Sequence, residues 1–255
     1  MVGLLLETKS LIKSFPMSGG KELSVLQDIN LQIREGEFVS ILGPSGAGKS
    51  TLLRILVGLT PPTKGEILYH GIPLSKARPK IGMVFQSFAL FPWLTVLENV
   101  KIGLHPYNFP EKISTEKAIK MLDLVGLDGF EDAYPKELSG GMRQRVGIAR
   151  ALVIEPEILF MDEPFSALDV LTADNLRKEL VDLWIKKKMP IKSIIFVTHN
   201  IEEAVYLSDR AIILSHNPGR VKSDIFIDMP YERDRNSRDF KYVVDRIFTI
   251  LSRPK

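Results

Sequence analysis

Apolar and polar residues alternate along Leu26-Gln27-Asp28-Ile29-Asn30-Leu31-Gln32-Ile33, and a period of two predicts an antiparallel strand with one wet face. Leu4 to Phe15 is also strand-like, with Pro16 to Gly20 reading as the loop between them. Glu37 to Leu42 reads as a buried strand and Ser50 to Val57 as a helix. Thr60-Pro61-Pro62-Thr63-Lys64-Gly65 is a turn, and short strands follow at Glu66 to Tyr69 and Ile81 to Phe85. From about Ser87 the period changes, and helices are predicted over Val96 to Leu104, Ser114 to Val125 and Gly141 to Ile154. Strand character returns at Ile158 to Met161, then a helix over Val170 to Lys188 and a strand at Ser193 to Val197. Apolar strands alternating with helices imply parallel strands covered on both faces. The helical block at about 87–155 therefore reads as an insertion into an α/β domain. Arg233 to Arg238 is a mixed-charge run, read as a solvated linker ahead of a terminal helix over Phe240 to Leu251.

Composition narrows the class only modestly. A chain of 255 residues can bury a sizeable core as one domain with an insertion. The absence of cysteine excludes disulfides and thiolate metal sites. Apolar runs such as Ile194 to Val197 and Ala211 to Leu214 fall far short of the ~20 residues that cross a bilayer. Met1 to Leu6 is followed at once by Glu7 and Lys9, so it lacks the basic start and apolar length of a signal peptide. A net charge of +3 argues for neither nucleic acid nor anionic lipid as a partner.

Chemistry enters at Gly43-Pro44-Ser45-Gly46-Ala47-Gly48-Lys49-Ser50-Thr51, which fits the phosphate-loop pattern G-x-x-x-x-G-K-[S/T] between a strand and a helix. A phosphate chain needs many donors close together. Gly46 and Gly48 remove side chains that would block the backbone amides, and the helix beginning near Lys49 adds the positive end of its dipole. Lys49 then reaches the β- and γ-phosphate oxygens, and the Ser50 hydroxyl ligates Mg²⁺. A glycine-rich turn needs neither the Lys-Ser pair nor the strand before it.

Such a loop is shared by kinases, GTPases and motor ATPases, and later residues discriminate among them. Ile158 to Met161 delivers Asp162 and Glu163 at the C-terminal end of a strand, where open α/β sheets bind ligands. One acid suits the metal and the other the attacking water, and spacing alone does not decide which. Ser139 precedes a helix as an N-cap, with Gly140 and Gly141 opening the backbone, which makes a second anion-binding helix start.

Taken together these residues resemble the nucleotide-binding subunit of an ATP-binding cassette (ABC) transporter, from Phe15 to about Leu214. Gln86 matches the Q-loop of that family and Leu138 to Met142 its signature. Asp162 and Glu163 match the end of Walker B, Ser166-Ala167-Leu168-Asp169 the D-loop, and His199 the switch histidine. The resemblance implies an α/β fold: a P-loop (RecA-like) core, an N-terminal antiparallel β subdomain and an inserted α-helical subdomain. The ATP-binding domain would occupy 1–232, and 233–255 would hold the charged linker and C-terminal helix.

It also implies a homodimer that sandwiches two ATP molecules with Mg²⁺, each held between the phosphate loop of one subunit and Ser139, Gly140 and Gly141 of the other. Glu163 would polarise the attacking water, His199 would contact the γ-phosphate and Asp169 would act across the dimer. Gln86 would touch Mg²⁺ and the water, and Asp162 would join Ser50 at the metal. Phe15 would stack on adenine where tyrosine is frequent, and Met142 replaces the usual glutamine of the signature.

Fused exporters carry membrane helices in the same chain, and none is legible here, so the resemblance favours a separate importer subunit. The run Phe88 to Val100 and the tail around Arg233 to Phe240 resemble the nitrate, sulfonate and taurine importer group. The implied machine has permease subunits in the membrane, this ATPase peripheral on the cytoplasmic face, and a solute-binding protein. The solute class would be a small anion such as nitrate, sulfonate, taurine or bicarbonate. The competing reading is a soluble ABC-type ATPase. DNA-repair members of that class carry a long coiled coil and translation members usually two cassettes per chain, and neither feature is present.

Overall fold

The computed structural model describes residues 3–253. Met1 and Val2, which open the stretch read as no signal peptide, and Pro254 and Lys255, which end the 233–255 segment, lie outside the described residues. In chain order the first elements are β1 (Leu4–Pro16), β2 (Glu22–Arg34), β3 (Phe38–Leu42), α1 (Lys49–Leu56), β4 (Lys64–Tyr69), β5 (Ile72–Pro73) and α2 (Leu74–Ala77). Next come β6 (Ile81–Val84), α3 (Val96–Lys101), α4 (Glu111–Leu124), α5 (Gly140–Leu152), β7 (Ile158–Asp162) and α6 (Val170–Ile185). The last are β8 (Ser193–Val197), α7 (Ile201–Leu207), β9 (Arg210–Leu214), β10 (Val221–Phe226) and α8 (Arg238–Ser252). The chain forms two compact units, one running to Pro79 and resuming at Lys192, the other Lys80–Ile191.

In the first unit, β1 pairs antiparallel with β2 on one side and β4 on the other. The alternation in β2 is visible as burial: Leu26, Ile29, Leu31 and Ile33 point inward while Asp28, Asn30 and Gln32 are exposed. The extra residue between Leu26 and Ile29 is absorbed at Asp28, whose φ is 52°. A second set of strands has β3 parallel to both β8 and β9, with β10 antiparallel on β9. Every residue of β3, β8 and β9 is buried, as strands covered on both faces require. Arg210 locks the edge: its guanidinium bonds both carboxylate oxygens of Asp224 at 2.7 and 2.5 Å, and this pairing, with Glu37, raises its pKa above the ordinary arginine value.

Five elements of this unit escape the sequence reading: β5, α2, α7, β9 and β10. With α7 spanning Ile201–Leu207, too few turns exist for a helical period to emerge. Its start is set by Asn200, whose side chain accepts from the Glu203 amide.

The structure corrects the solvated reading of 233–238 at its first residue. Arg233 is only 7% exposed, and its guanidinium donates to the carbonyls of Val205 and Ser208 at 2.6 Å and of Met229 at 2.9 Å. The end of α7 leaves carbonyls without intrahelical partners at the negative end of its dipole, and a cation satisfies both needs. Burial lowers the Arg233 pKa from its ordinary value. Downstream, Ser237 caps α8, which lays Phe240 and Ile247 onto a core of Leu42, Ala204, Ile213 and Ile225. The terminal helix is thus part of the first unit's core.

The second unit holds β6 and β7 in parallel, with the helices α3, α4 and α5 between them in sequence. The helix predicted over 96–104 is shorter: α3 stops at Lys101 and a 3₁₀ stretch covers Ile102–Tyr107, which contains Pro106. Proline removes an amide and tightens the chain there. In the same way α4 starts at Glu111, directly after Pro110, rather than at Ser114. Ahead of α3, Thr95 and Glu98 form a reciprocal capping box. The fully buried Asn99 accepts from the Phe91 amide and donates to the carbonyls of Phe91, Leu94 and Thr95, pinning the 91–95 loop.

Candidate active site

The first unit carries the phosphate loop, Phe15 and His199. Gly48 stands at the N-cap of α1 with φ 83° and offers no capping side chain, so the first-turn amides keep their donors for a ligand. Lys49 is 7% exposed, and its Nζ lies 2.9 Å from the Gly43 carbonyl and 3.1 Å from that of Pro44. The ammonium is therefore held inside the loop it serves. Pro44, Ser45 and Gly46 are exposed, Ala47 is buried, and Ser50 and Thr51 are partly buried.

A residue missed by the sequence reading supports this loop from behind. The backbone of Gly219 bonds that of Val25 and Gln27 at 2.9 Å, and a Cβ on Gly219 would lie 2.3 Å from the Ala47 carbonyl oxygen. Only glycine permits that approach. The Pro218-Gly219 dipeptide signals a turn, but nothing local ties it to a loop so distant in sequence.

Phe15 is 39% exposed, with the Lys13 ammonium 4.8 Å from its ring centroid. His199 is exposed in the connection between β8 and α7. Its neighbours are fixed: the Thr198 hydroxyl donates to Glu203 at 2.6 Å and accepts from the Asn200 amide at 3.0 Å.

In the second unit β7 ends in Asp162, 5% exposed, followed by Glu163 with φ 45°. A left-handed glutamate is strained backbone of the kind found at functional sites. Gln86 Nε2 donates to Glu163 Oε2 and to Ser166 Oγ, both at 3.3 Å, while the Ser166 hydroxyl donates to the Glu163 carbonyl at 2.9 Å. Gln86 and Glu163, far apart in the chain, are direct neighbours.

Ser139 is exposed and caps α5, accepting from the Met142 amide at 3.2 Å. Asp169 caps α6, and the hydroxyl and amide of Thr172 hold its carboxyl below the ordinary aspartate value. Thr172 also meets Gly141, where an added Cβ would lie 2.4 Å from the Thr172 methyl carbon. One threonine thus joins the two helix starts, a contact no local pattern announces. Ser139, Gly141 and Met142 line a cleft of about 340 Å³ with Arg145, Thr172 and Asn175.

A phosphate loop opening a helix, within an α/β fold that presents an Asp-Glu pair at a strand end, defines a phosphate-loop nucleotide hydrolase. A family model described as ABC transporter matches residues 26–166. An uncharacterised ABC transporter ATP-binding protein of Methanocaldococcus jannaschii is 47% identical over 96% of this chain and 91% of its own length. The aliphatic sulfonates import ATP-binding protein SsuB of Bacillus cereus is 45% identical over 88% of this chain and 87% of its own. Among solved structures, a dimeric ATP-binding cassette in a post-hydrolysis state bound to ADP and Pi superposes with a TM-score of 0.76 at 36% identity, covering 89% of this chain and 100% of that one. The structure of cbiO1 from Clostridium perfringens, part of the ABC transporter complex cbiONQ, gives a TM-score of 0.74 at 31% identity, covering 87% of this chain and 88% of that one. The chain belongs to the ABC transporter ATP-binding family and is an ATPase subunit of that class.

Members of this family bind ATP with Mg²⁺. Among the described residues no group of three or more His, Cys, Asp or Glu side chains forms a metal cage. Taken unit by unit, the oxygen donors are the Ser50 hydroxyl in the first and the Gln86 amide and Asp162 carboxylate in the second. Hard oxygen donors of this kind suit Mg²⁺, which is commonly held by one or two carboxylates together with substrate phosphates and water.

Proposed function

We propose that this chain powers uptake of a small anion, as one of two identical ATPase subunits on the cytoplasmic face of a membrane, working through separate permease subunits and indirectly with a solute-binding protein. The likeness to the sulfonate import subunit supports the importer assignment and a sulfonate or similar oxyanion as solute. Among the described residues no helix is long and apolar enough to cross a membrane, which leaves the pathway to other chains.

The phosphate loop, Gly43 to Thr51, cradles the β- and γ-phosphates through its amides and Lys49. Ser50, Asp162 and Gln86 would hold Mg²⁺, which when bound would neutralise charge on the phosphate oxygens. Glu163 takes the proton of the attacking water, and Gln86, bonded to it, orients that water. His199 contacts the γ-phosphate. Ser139, Gly140 and Gly141 close over the nucleotide of the second subunit, with Asp169 acting across the same interface.

The observation that carries the transport reading is the placement of Gln86, which bonds Glu163 just upstream of an exposed aromatic pair. Phe91 and Trp93 meet edge to face at 5.5 Å, and Trp93 is 70% exposed on the loop pinned by Asn99. Aromatic groups are favoured interface anchors. They form part of the groove for a cytoplasmic helix of the permease.

The chain has two tryptophans, so Trp184→Phe leaves Trp93 as the sole indole. On assembly with permease subunits lacking tryptophan near their docking helix, its emission shifts to shorter wavelength and quencher access falls. Unchanged emission in a verified complex moves the docking site elsewhere, and failure to form any complex favours a soluble ATPase.

Phe15 offers one ring face to the base, and no hydroxyl adds polarity. Stacking of this kind tolerates any base. The affinities for ATP and GTP are therefore expected to agree within about tenfold, or about 1.4 kcal/mol, in a titration of the isolated chain. A wider gap would mean that another group reads the base.

A further inference from the structure

Two residues beyond Gln86, the backbone enters a rare conformation twice in succession: φ is 58° at Phe88 and 49° at Ala89. Neither is glycine, and left-handed backbone at consecutive side-chain-bearing residues persists only where surrounding groups hold it. The holding group is on α5. Arg150 donates from one guanidinium nitrogen to the Phe88 carbonyl at 2.9 Å and from another to the Ala89 carbonyl at 2.6 Å.

Arg150 pairs with no carboxylate among the described residues. Burial lowers its pKa from the ordinary arginine value. A partly buried cation without a counter-ion is costly unless its hydrogen bonds are strong, and carbonyls aimed at a guanidinium fork supply such bonds.

The same face of α5 continues the grip. The Arg143 guanidinium lies 5.5 Å from the Phe88 ring centroid. Gly147 faces the Phe88 carbonyl, which an added Cβ would meet at an ordinary contact distance of 3.6 Å. Positions 143, 147 and 150 recur at helical spacing, so one rigid helix that begins at Ser139 holds the segment leaving Gln86.

We propose that Arg150 is a positioning residue: by clamping the Phe88 and Ala89 carbonyls it fixes the left-handed turn and hence the direction in which the chain leaves Gln86. The consequence for catalysis rests on the reading of Gln86 as a contact of Mg²⁺ and the attacking water. The clamp itself stands on the geometry alone.

The absence of cysteine makes the clamp directly observable. A spin label on Ser87→Cys, at an exposed position between Gln86 and Phe88, gives an ordered spectrum in the otherwise unchanged chain and a mobile one when Arg150→Ala is added. Arg150→Lys falls between, because one ammonium cannot reproduce the fork. In unlabelled chains, Arg150→Ala lowers kcat about tenfold and raises the Mg²⁺ concentration for half-maximal rate, as expected when an active-site group is misplaced.

Adding Ala89→Gly to Arg150→Ala recovers at least about threefold in kcat, since glycine takes positive φ without help. A purely packing role for Arg150 predicts lower thermal stability and no such recovery. A label equally ordered with and without Arg150, or an absence of recovery in the folded double variant, overturns the proposal. Full Mg²⁺-dependent activity in Gln86→Ala would remove the assigned role of Gln86 instead, leaving the spin-label result to decide the clamp.

Discussion

Glu163→Gln is expected to bind ATP with Mg²⁺ at near-normal affinity and to hydrolyse it about 10² to 10⁴ times more slowly, a loss of about 3 to 5 kcal/mol in transition-state stabilisation. The substitution is isosteric, so the strained backbone at φ 45° and the bond from the Ser166 hydroxyl to the residue's carbonyl are retained. What is lost is the basic oxygen. An amide cannot take the proton of water, while the Lys49 ammonium and the first-turn amides of α1, unchanged by the substitution, would hold the phosphates as proposed. Because binding survives and turnover does not, the nucleotide-bound dimer accumulates. Light scattering should detect it with ATP and lose it with ADP. Near-normal single-turnover rates would remove Glu163 from the role of general base.

Ser139→Arg is expected to abolish hydrolysis in the homodimer while leaving nucleotide binding to the chain's own phosphate loop intact. Ser139 is exposed and makes one capping bond to the Met142 amide, so the local cost of losing it is about 1 kcal/mol, small beside the stability of a domain. In the proposed shared site the larger effect is steric and acts on the other subunit: a guanidinium and its stem would occupy the surface assigned to close over the partner's γ-phosphate. Removing such preorganised donors costs at least about 10² in rate.

Lys49→Ala fails for the opposite reason, since its own loop loses the ammonium held by Gly43 and Pro44. Mixing the two inactive proteins creates heterodimers in which the phosphate loop of one chain faces the intact signature of the other. Part of the activity therefore returns. If mixed dimers form, shown by two affinity tags on the two chains, and hydrolysis does not recover, the nucleotide is not shared between subunits.

The motifs that mark the family were legible because the residues of each sit next to each other in the chain. The run Gly43 to Thr51 carries its strand, its glycines, its lysine and its hydroxyl in one stretch, and Ile158 to Glu163 carries a strand with its two acids. Ser139 was readable as a cap because capping geometry spans only three residues. The alternation in β2 and the apolar runs of β3, β7 and β8 likewise gave strands whose burial follows the pattern residue by residue. Element ends were legible where proline or glycine marks them in a way the period obeys, and were misplaced at α3 and α4, where Pro106 and Pro110 redirect the chain.

Other features were decided only by tertiary structure. The charge run at 233–238 looks like any solvated linker until the end of α7 and its C-cap present carbonyls to Arg233. Gly219 looks like an ordinary turn glycine until the Ala47 carbonyl comes to lie against it, and Arg150 like an ordinary helix charge until two left-handed carbonyls converge on its fork. Local sequence determines periodicity, caps and the identity of reactive groups, because those depend on atoms within a turn or a strand. Which distant carbonyl satisfies a buried cation, and which backbone must approach a glycine, depends on packing among segments far apart in the chain, where each buried polar group takes the partner that the assembled core brings within hydrogen-bond reach.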